Sequence, residues 1–174
     1  MLMMGKTHRL GGVLVGLGML SVVPQDPVVI AGSLACSIVG SLFPDLDHKN
    51  STISKKTGVV GGITGTVFTH RGIMHAPLIY TLIYLVAMTA AELPYSVFLT
   101  SWYFGVLSHL LFDMFNPGGI PLLFPFSKKK FRIMGLSTGG MGEAVFRTVM
   151  TFTCVGFAFY ILFGQFGQEI AVFA

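Results

Sequence analysis

The sequence predicts an all-α fold: a polytopic membrane helical bundle of about five transmembrane helices, with the N-terminus inside and the C-terminus outside. Of the 174 residues, 53% are hydrophobic and only 10% are charged, and the mean hydropathy is +0.77. The apolar residues form long runs, which a soluble domain of this size has no core to bury. The 22 glycines suit such a bundle because small residues let transmembrane helices approach closely. We expect a single integral-membrane domain over residues 1–174.

Apolar runs mark the expected helices in chain order. The runs are residues 10–23, 28–43, 73–91, 95–115 and 148–166. The last three approach the roughly 20 residues that cross a bilayer, whereas the first two need an extra turn at their polar ends. Pro24-Gln25-Asp26-Pro27 separates the first pair, and Leu93-Pro94 makes a tight turn between the third and fourth. Residues 58–68 are apolar but too short to span, so we expect them to lie on the membrane surface or partly buried.

The basic residues predict the orientation of the bundle. With five crossings, the N-terminus and the loops at 44–72 and 116–143 share one side of the membrane. All 11 lysines and arginines fall on that side, so the positive-inside rule makes it cytoplasmic. The run Lys128-Lys129-Lys130-Phe131-Arg132 is then a juxtamembrane anchor for anionic lipid headgroups. Because these charges lie in loops between apolar runs, nucleic acid is not an expected partner.

The same side gathers the side chains that can bind metal. It holds all 5 histidines and four of the 7 acidic residues. His109 and Asp113 are four residues apart in an otherwise apolar helix, so they project from one face about one turn apart. Ionisable residues within a membrane span are costly and indicate a functional site by default. The pair predicts a metal site, and a hydrogen bond that joins helices is the alternative.

Three further segments add candidate ligands at helix ends. Pro44-Asp45-Leu46-Asp47-His48 combines carboxylate and imidazole ligands suited to zinc, manganese or iron, unless it is simply an acidic helix-terminal turn. Within it, Asp47 is either a ligand or a residue that orients a ligand histidine. In His70-Arg71-Gly72-Ile73-Met74-His75, the two histidines share a site only if His70 lies outside the regular helix. His8 is a candidate by position alone.

Arg71 and Glu143 are candidates for roles beside the metal. The planar guanidinium of Arg71 suits an anionic substrate group, although an arginine at this boundary also serves as a topology anchor. Glu143 is a candidate metal ligand or general base, or a carboxylate favoured by a helix N-terminus. With Asp47, these two residues form the expected catalytic set.

Four motifs in order resemble the YdjM-like family of inner-membrane proteins: Thr7-His8, Pro44-Asp45-x-Asp47-His48, His70-Arg71-Gly72-x-x-His75 and Ser108-His109-x-x-x-Asp113, followed by Gly119-Ile120-Pro121-Leu122-Leu123-x-Pro125. That family is described as LexA-binding and as a group of metal-dependent hydrolases, distantly similar to zinc-dependent phospholipase C and P1 nuclease. The resemblance implies a multi-pass protein of a bacterial or archaeal inner membrane. It also implies a ligand set of His8, Asp45, His48, His70, His75, His109 and Asp113. One departure is Met74-His75-Ala76, where family members often have Thr-His-Ser.

Together these observations lead us to expect a membrane-embedded metal-dependent hydrolase. It would be a phosphoesterase acting on lipid or membrane-associated phosphate esters at the cytoplasmic face, with one to three divalent ions, most simply zinc. A metal or proton transporter is one alternative, since intramembrane His and Asp also build ion pathways. Against it, the opposite side offers only Asp26 and Glu92 near the bundle. A non-enzymatic membrane adaptor with a structural metal site is the other alternative.

Overall fold

The computed structural model describes residues 5–23, 26–47 and 73–172, and within them the chain forms five α-helices. The helices are α1, Gly5–Leu20; α2, Pro27–Gly40; α3, Pro77–Met88; α4, Tyr95–Asp113; and α5, Met141–Val172. Short 3-10 turns at Phe43–Asp47 and Ile73–His75 follow α2 and precede α3. The β pairing in this part of the chain is limited to one antiparallel bridge, between Ile120 and Phe131. The expected all-α fold is confirmed, while the expected surface segment at 58–68 lies outside the described residues.

The outer surface of the bundle is apolar. Three segments of the described chain are long and apolar enough to cross a membrane: Pro27–Asp45, Tyr95–Asp113 and Met141–Gly164. α1, with 16 residues, and α3, with 12, are shorter than these three segments. On α5, the side chains of Phe152, Tyr160 and Phe163 are each more than two-thirds exposed. Large exposed apolar groups of this kind are favourable in contact with lipid and unfavourable in contact with water. The chain is a helical membrane protein, and the orientation of its ends stays a prediction.

The predicted span at 73–91 differs most from the structure. Ala76 is extended, with φ −98° and ψ 109°, and α3 begins only at Pro77. Proline is favoured in the first turn of a helix and disfavours the α conformation in the residue before it, which explains the break. The Tyr80 hydroxyl donates a hydrogen bond to the Met74 carbonyl oxygen (2.9 Å) and ties the turn to α3. His75 therefore lies on a turn rather than on the helix.

The bounds of the other helices also differ from the predicted apolar runs. α2 begins where Asp26 caps it, because the Asp26 carboxylate accepts hydrogen bonds from the Val28 and Val29 amides at 2.9 and 3.1 Å. α1 begins at Gly5 and ends at Leu20, so it includes His8 within its first turns. α5 begins at Met141, seven residues before the predicted span at 148–166.

α4 is the central helix of the described bundle. It packs against α1, α2 and α3, and α5 packs against α1. α2 and α4 approach closely because glycine stands at their crossing: a Cβ atom at Gly105 would collide with the Ser37 carbonyl oxygen, and one at Gly40 with that of Trp102. A small core of Tyr80, Val106, Leu110 and Ile120 fills the space beside α4. This packing brings the ends of α1, α2 and α4 together.

Candidate metal centre

Five of the predicted ligands converge at one end of the bundle. α1 supplies His8, the turn after α2 supplies Asp45, the turn before α3 supplies His75, and α4 supplies His109 and Asp113. His8, His75, His109 and Asp113 are completely buried, and Asp45 is 7% exposed. The cluster therefore joins four separate parts of the chain in a site closed to bulk solvent.

Asp113 lies at the middle of the cluster. Its Oδ1 is 3.5 Å from His8 Nε2, and its Oδ2 is 3.3 Å from His75 Nε2 and 3.8 Å from His109 Nε2. Asp45 Oδ1 is 3.8 Å from the same His109 nitrogen. Two nitrogen or oxygen ligands about 2.0–2.1 Å from a tetrahedral zinc ion are about 3.3 Å apart. The observed separations are close to that value.

The ligand atoms form two overlapping groups of three. One group is His8, His109 and Asp113, and the other is Asp45, His75 and His109; within each, the ligand atoms lie within 4.8 Å of one another. His109 belongs to both groups. The five side chains thus form one continuous centre rather than two separate ones.

The orientation of His109 is set by the backbone of α2. His109 Nδ1 is 2.7 Å from the Ser41 carbonyl oxygen, and a carbonyl oxygen only accepts, so Nδ1 carries the proton and donates it. Nε2 then presents its lone pair to Asp45 and Asp113. Histidine ligands in metal sites are held by this kind of second hydrogen bond.

Several buried nitrogen and oxygen atoms of the cluster make no hydrogen bond among the described residues. They include His8 Nδ1 and Nε2, His109 Nε2 and Asp113 Oδ2. Leaving such atoms unpaired in a buried site costs free energy, and a bound cation would coordinate the nitrogen lone pairs and the carboxylate together. The His8 and His109 rings also stack, with centroids 3.7 Å apart and planes at 16°, an arrangement in which two charged imidazolium rings would repel. The residues present fit a divalent metal ion.

Glu143 is buried next to the cluster but belongs to neither ligand group. Its Oε1 accepts a hydrogen bond from Thr7 Oγ1 (2.7 Å), and its Oε2 accepts one from the Gly139 amide (2.7 Å). Gly139 has φ +72°, a conformation that glycine adopts without strain. Because Thr7 precedes His8, the carboxylate fastens the start of α5 to the helix that carries a ligand. These contacts place the carboxylate at the start of α5, and its role as a general base stays a prediction.

Asn116 is the site residue that sequence reasoning missed. Its Nδ2 donates a hydrogen bond to Asp113 Oδ1 (2.7 Å), and its side chain is fully buried. The spacing of three residues from Asp113 was the available signal, because residues three apart lie on one side of a helical turn. Ser41 gave no such signal, since it acts through a backbone carbonyl that every residue has.

The remaining predicted site residues fall outside this geometry. His48, His70 and Arg71 lie outside the described residues, and so does the side chain of Asp47. Their roles stay predictions.

Comparison with known proteins assigns the chain to a family. The YdjM inner membrane protein family matches residues 3–170. The chain belongs to this family. The match includes all five converging ligands and Asn116, and it confirms the family resemblance indicated by the sequence motifs. Membrane localisation follows from the family together with the apolar helices.

Similar proteins cover the chain to different extents. The uncharacterized protein YvsG of Bacillus subtilis (strain 168) is 30% identical over 161 residues, which are 92% of this chain and 97% of YvsG. The inner membrane protein YdjM of Escherichia coli (strain K12) is 32% identical over 102 residues, which are 56% of this chain and 50% of that protein. The YdjM protein of Shigella flexneri gives the same values. No solved structure matches the chain.

Proposed function

We propose that this YdjM-family chain is a metal-dependent hydrolase embedded in the membrane, a phosphoesterase of the phospholipase C kind. The observation that carries the proposal is the buried cluster of three histidines and two aspartates, whose ligand atoms form two groups of three within 4.8 Å. Such a cluster within an apolar bundle is costly unless a cation occupies it. The cofactor is one to three divalent ions, most simply zinc, because nitrogen and carboxylate ligands are mixed; manganese and iron are the alternatives.

The ligand residues of the proposed site are His8, Asp45, His75, His109 and Asp113, with His48 and His70 as further ligands. A divalent ion held by them supplies Lewis-acid activation of water and of a phosphoryl oxygen. The Ser41 carbonyl fixes the His109 ring, and Asn116 fixes the Asp113 carboxylate. Arg71 holds the anionic phosphate group by its planar fork of donors. Asp47 orients a ligand histidine.

Lipid or membrane-associated phosphate esters are the proposed substrates. The ligands lie at the ends of α1, α2 and α4, which is headgroup depth for helices that cross a bilayer. The positive-inside rule puts this end at the cytoplasmic face of a bacterial or archaeal inner membrane. LexA binding, which the family resemblance implies, is a further proposal for this chain.

Metal content and hydrolysis measured together test the proposal. Purified protein is analysed for zinc, manganese and iron and assayed in mixed micelles against lipid and soluble phosphate monoesters and diesters. We expect stoichiometric metal and hydrolysis in wild type, with both lost in Asp113→Asn. The matched control is Asp26→Asn at the other end of the bundle, where asparagine also caps a helix well. Stoichiometric metal without hydrolysis of any phosphoester would refute the proposal that the protein is a phosphoesterase.

The same preparations separate the two alternatives. Because the cluster joins α1, α4 and the turns next to α2 and α3, a metal that only holds these elements together would stabilise the fold without turnover. A chelator would then lower the unfolding temperature of wild type and have no activity to remove. Metal flux into proteoliposomes that Asp113→Asn abolishes would support a transporter instead.

A further inference from the structure

The loop between α4 and α5, residues 114–140, combines exposed basic and exposed apolar side chains. It contains four basic residues and neither aspartate nor glutamate. Lys128, Lys129, Lys130 and Arg132 are exposed. The apolar side chains of Leu123, Phe126, Ile133 and Met134 are 54%, 86%, 56% and 53% exposed. A soluble surface seldom presents large apolar groups so close to a run of lysines.

This loop is held firmly against the bundle. Ile120 is completely buried in the core beside α4, and it exchanges two backbone hydrogen bonds with Phe131, at 3.0 and 2.9 Å. Farther along, the Ile133 amide donates to the Met114 carbonyl oxygen (2.7 Å). The exposed side chains between these contacts are therefore presented in a defined position next to the metal centre.

The positive charge of the loop is not neutralised within the described structure. No carboxylate of the described residues lies within 4.0 Å of the three consecutive lysines, since every ion pair found there joins a histidine to an aspartate. Lys129 Nζ instead lies 5.9 Å from the centre of the Phe131 ring. An external anion would complement this charge.

We propose that the loop is a docking surface for the anionic lipids of the leaflet in which the protein is embedded. Phe126 and Leu123 enter the apolar edge of the leaflet, and Lys128, Lys129 and Lys130 bind the phosphate groups above it. An anionic bilayer offers negative charge and an apolar layer side by side, which matches the loop. A second copy of the chain would bring the same positive loop and repel it. Docking does not depend on hydrolysis.

Docking has a consequence for the candidate metal centre. The loop starts at Met114, directly after Asp113, and Asn116 within it contacts that aspartate. The backbone contacts from Ile133 to Met114 and from Leu136 to Phe115 (2.8 Å) connect the exposed part to the same short segment. Anionic lipid bound to the loop thus holds the metal centre at headgroup depth.

Spin-label depth measurements test the docking surface in the full chain. The protein carries Cys36→Ser and Cys154→Ser, and a nitroxide is attached at Phe126→Cys. It is reconstituted in phosphatidylcholine vesicles with or without phosphatidylglycerol. We expect the label to lie about 5–10 Å below the headgroups in anionic vesicles. It should move to the aqueous phase in pure phosphatidylcholine and in the Lys128→Gln/Lys129→Gln/Lys130→Gln variant.

A second label position provides the control. Ser137→Cys is exposed on the same loop but follows the apolar and basic residues, so its accessibility should not change with lipid charge. The circular dichroism spectrum and the unfolding temperature of each variant, compared with those of wild type, show that the fold is retained. Equal burial of the Phe126→Cys label in both vesicles, or its exposure to water in both, overturns the proposal. Spin–spin broadening from a second copy, or burial only when an acidic soluble protein is added, overturns it too.

Discussion

Asp113 is surrounded by histidine nitrogens from three parts of the chain, yet its orientation depends on a neutral neighbour. Asn116 occupies one lone pair of Oδ1 by donating at 2.7 Å, which leaves Oδ2 directed towards His75 and His109. Groups that fix a ligand without touching the metal often matter nearly as much as the ligand itself.

Asn116→Ala should weaken metal binding without removing a ligand. With the donor gone, the Asp113 carboxylate can rotate, and we expect the metal dissociation constant to rise by about 10–100-fold. Competition with a calibrated chelator measures it. Ser33→Ala is the control, because Ser33 is equally buried on α2 and is in neither ligand group. Unchanged affinity in Asn116→Ala would contradict the positioning role.

At the scale of helices, the distance between α2 and α4 decides whether the site assembles. Ser41 follows directly on Gly40 at the end of α2, and its carbonyl oxygen holds His109 on α4. That contact requires the two backbones to be close, and Gly105 makes this possible because it has no side chain. One glycine thus affects a ligand one helical turn away.

Gly105→Ala should destabilise the bundle and weaken metal binding together. The added Cβ would meet the Ser37 carbonyl oxygen, a backbone atom that cannot turn away. We expect a loss of about 1–3 kcal/mol in the free energy of unfolding, the usual cost of overpacking, measured by unfolding in detergent. Gly156→Ala on α5 is the matched control, since nothing lies within 4 Å of its Cβ. Equal stability of the two variants would show that the α2–α4 contact is not tight.

For the whole molecule, the asymmetry of charge predicts which compartment the candidate site faces. All 11 lysines and arginines are on the side predicted to be cytoplasmic, and the five converging ligands lie at one end of the described bundle. The apolar surface of α5 indicates a membrane around the bundle, but it does not indicate which end of the bundle faces the cytoplasm. Orientation therefore rests on the loops.

Cysteine labelling tests this orientation. In a Cys36→Ser/Cys154→Ser background, Glu92→Cys should react with a membrane-impermeant maleimide added to intact spheroplasts. Ser137→Cys should react only after the membrane is permeabilised, because the positive loop stays in the cytoplasm. Both positions are exposed, so burial does not account for a difference. The reverse pattern would place the candidate metal centre on the outer side.

The sequence by itself determined the helical membrane class, the approximate helix positions and the candidate ligands on α4. These follow from local properties: the length of apolar runs, the spacing of His109 and Asp113, and the polar ends of helices. The Ala76-Pro77 pair would also have predicted the break before α3, because proline acts on its immediate neighbour. The order of the four motifs along the chain also indicated the family.

Only the tertiary structure decided which of these residues meet. In the sequence, only its position made His8 a candidate ligand. In the structure, its ring stacks on that of His109, with the ring centroids 3.7 Å apart. Glu143 is 136 residues from Thr7 in the chain, yet its Oε1 accepts a hydrogen bond from the Thr7 hydroxyl. Such contacts join residues far apart in the chain, and they depend on how closely helices cross. That distance is set by side-chain volume at each crossing, which no local pattern encodes.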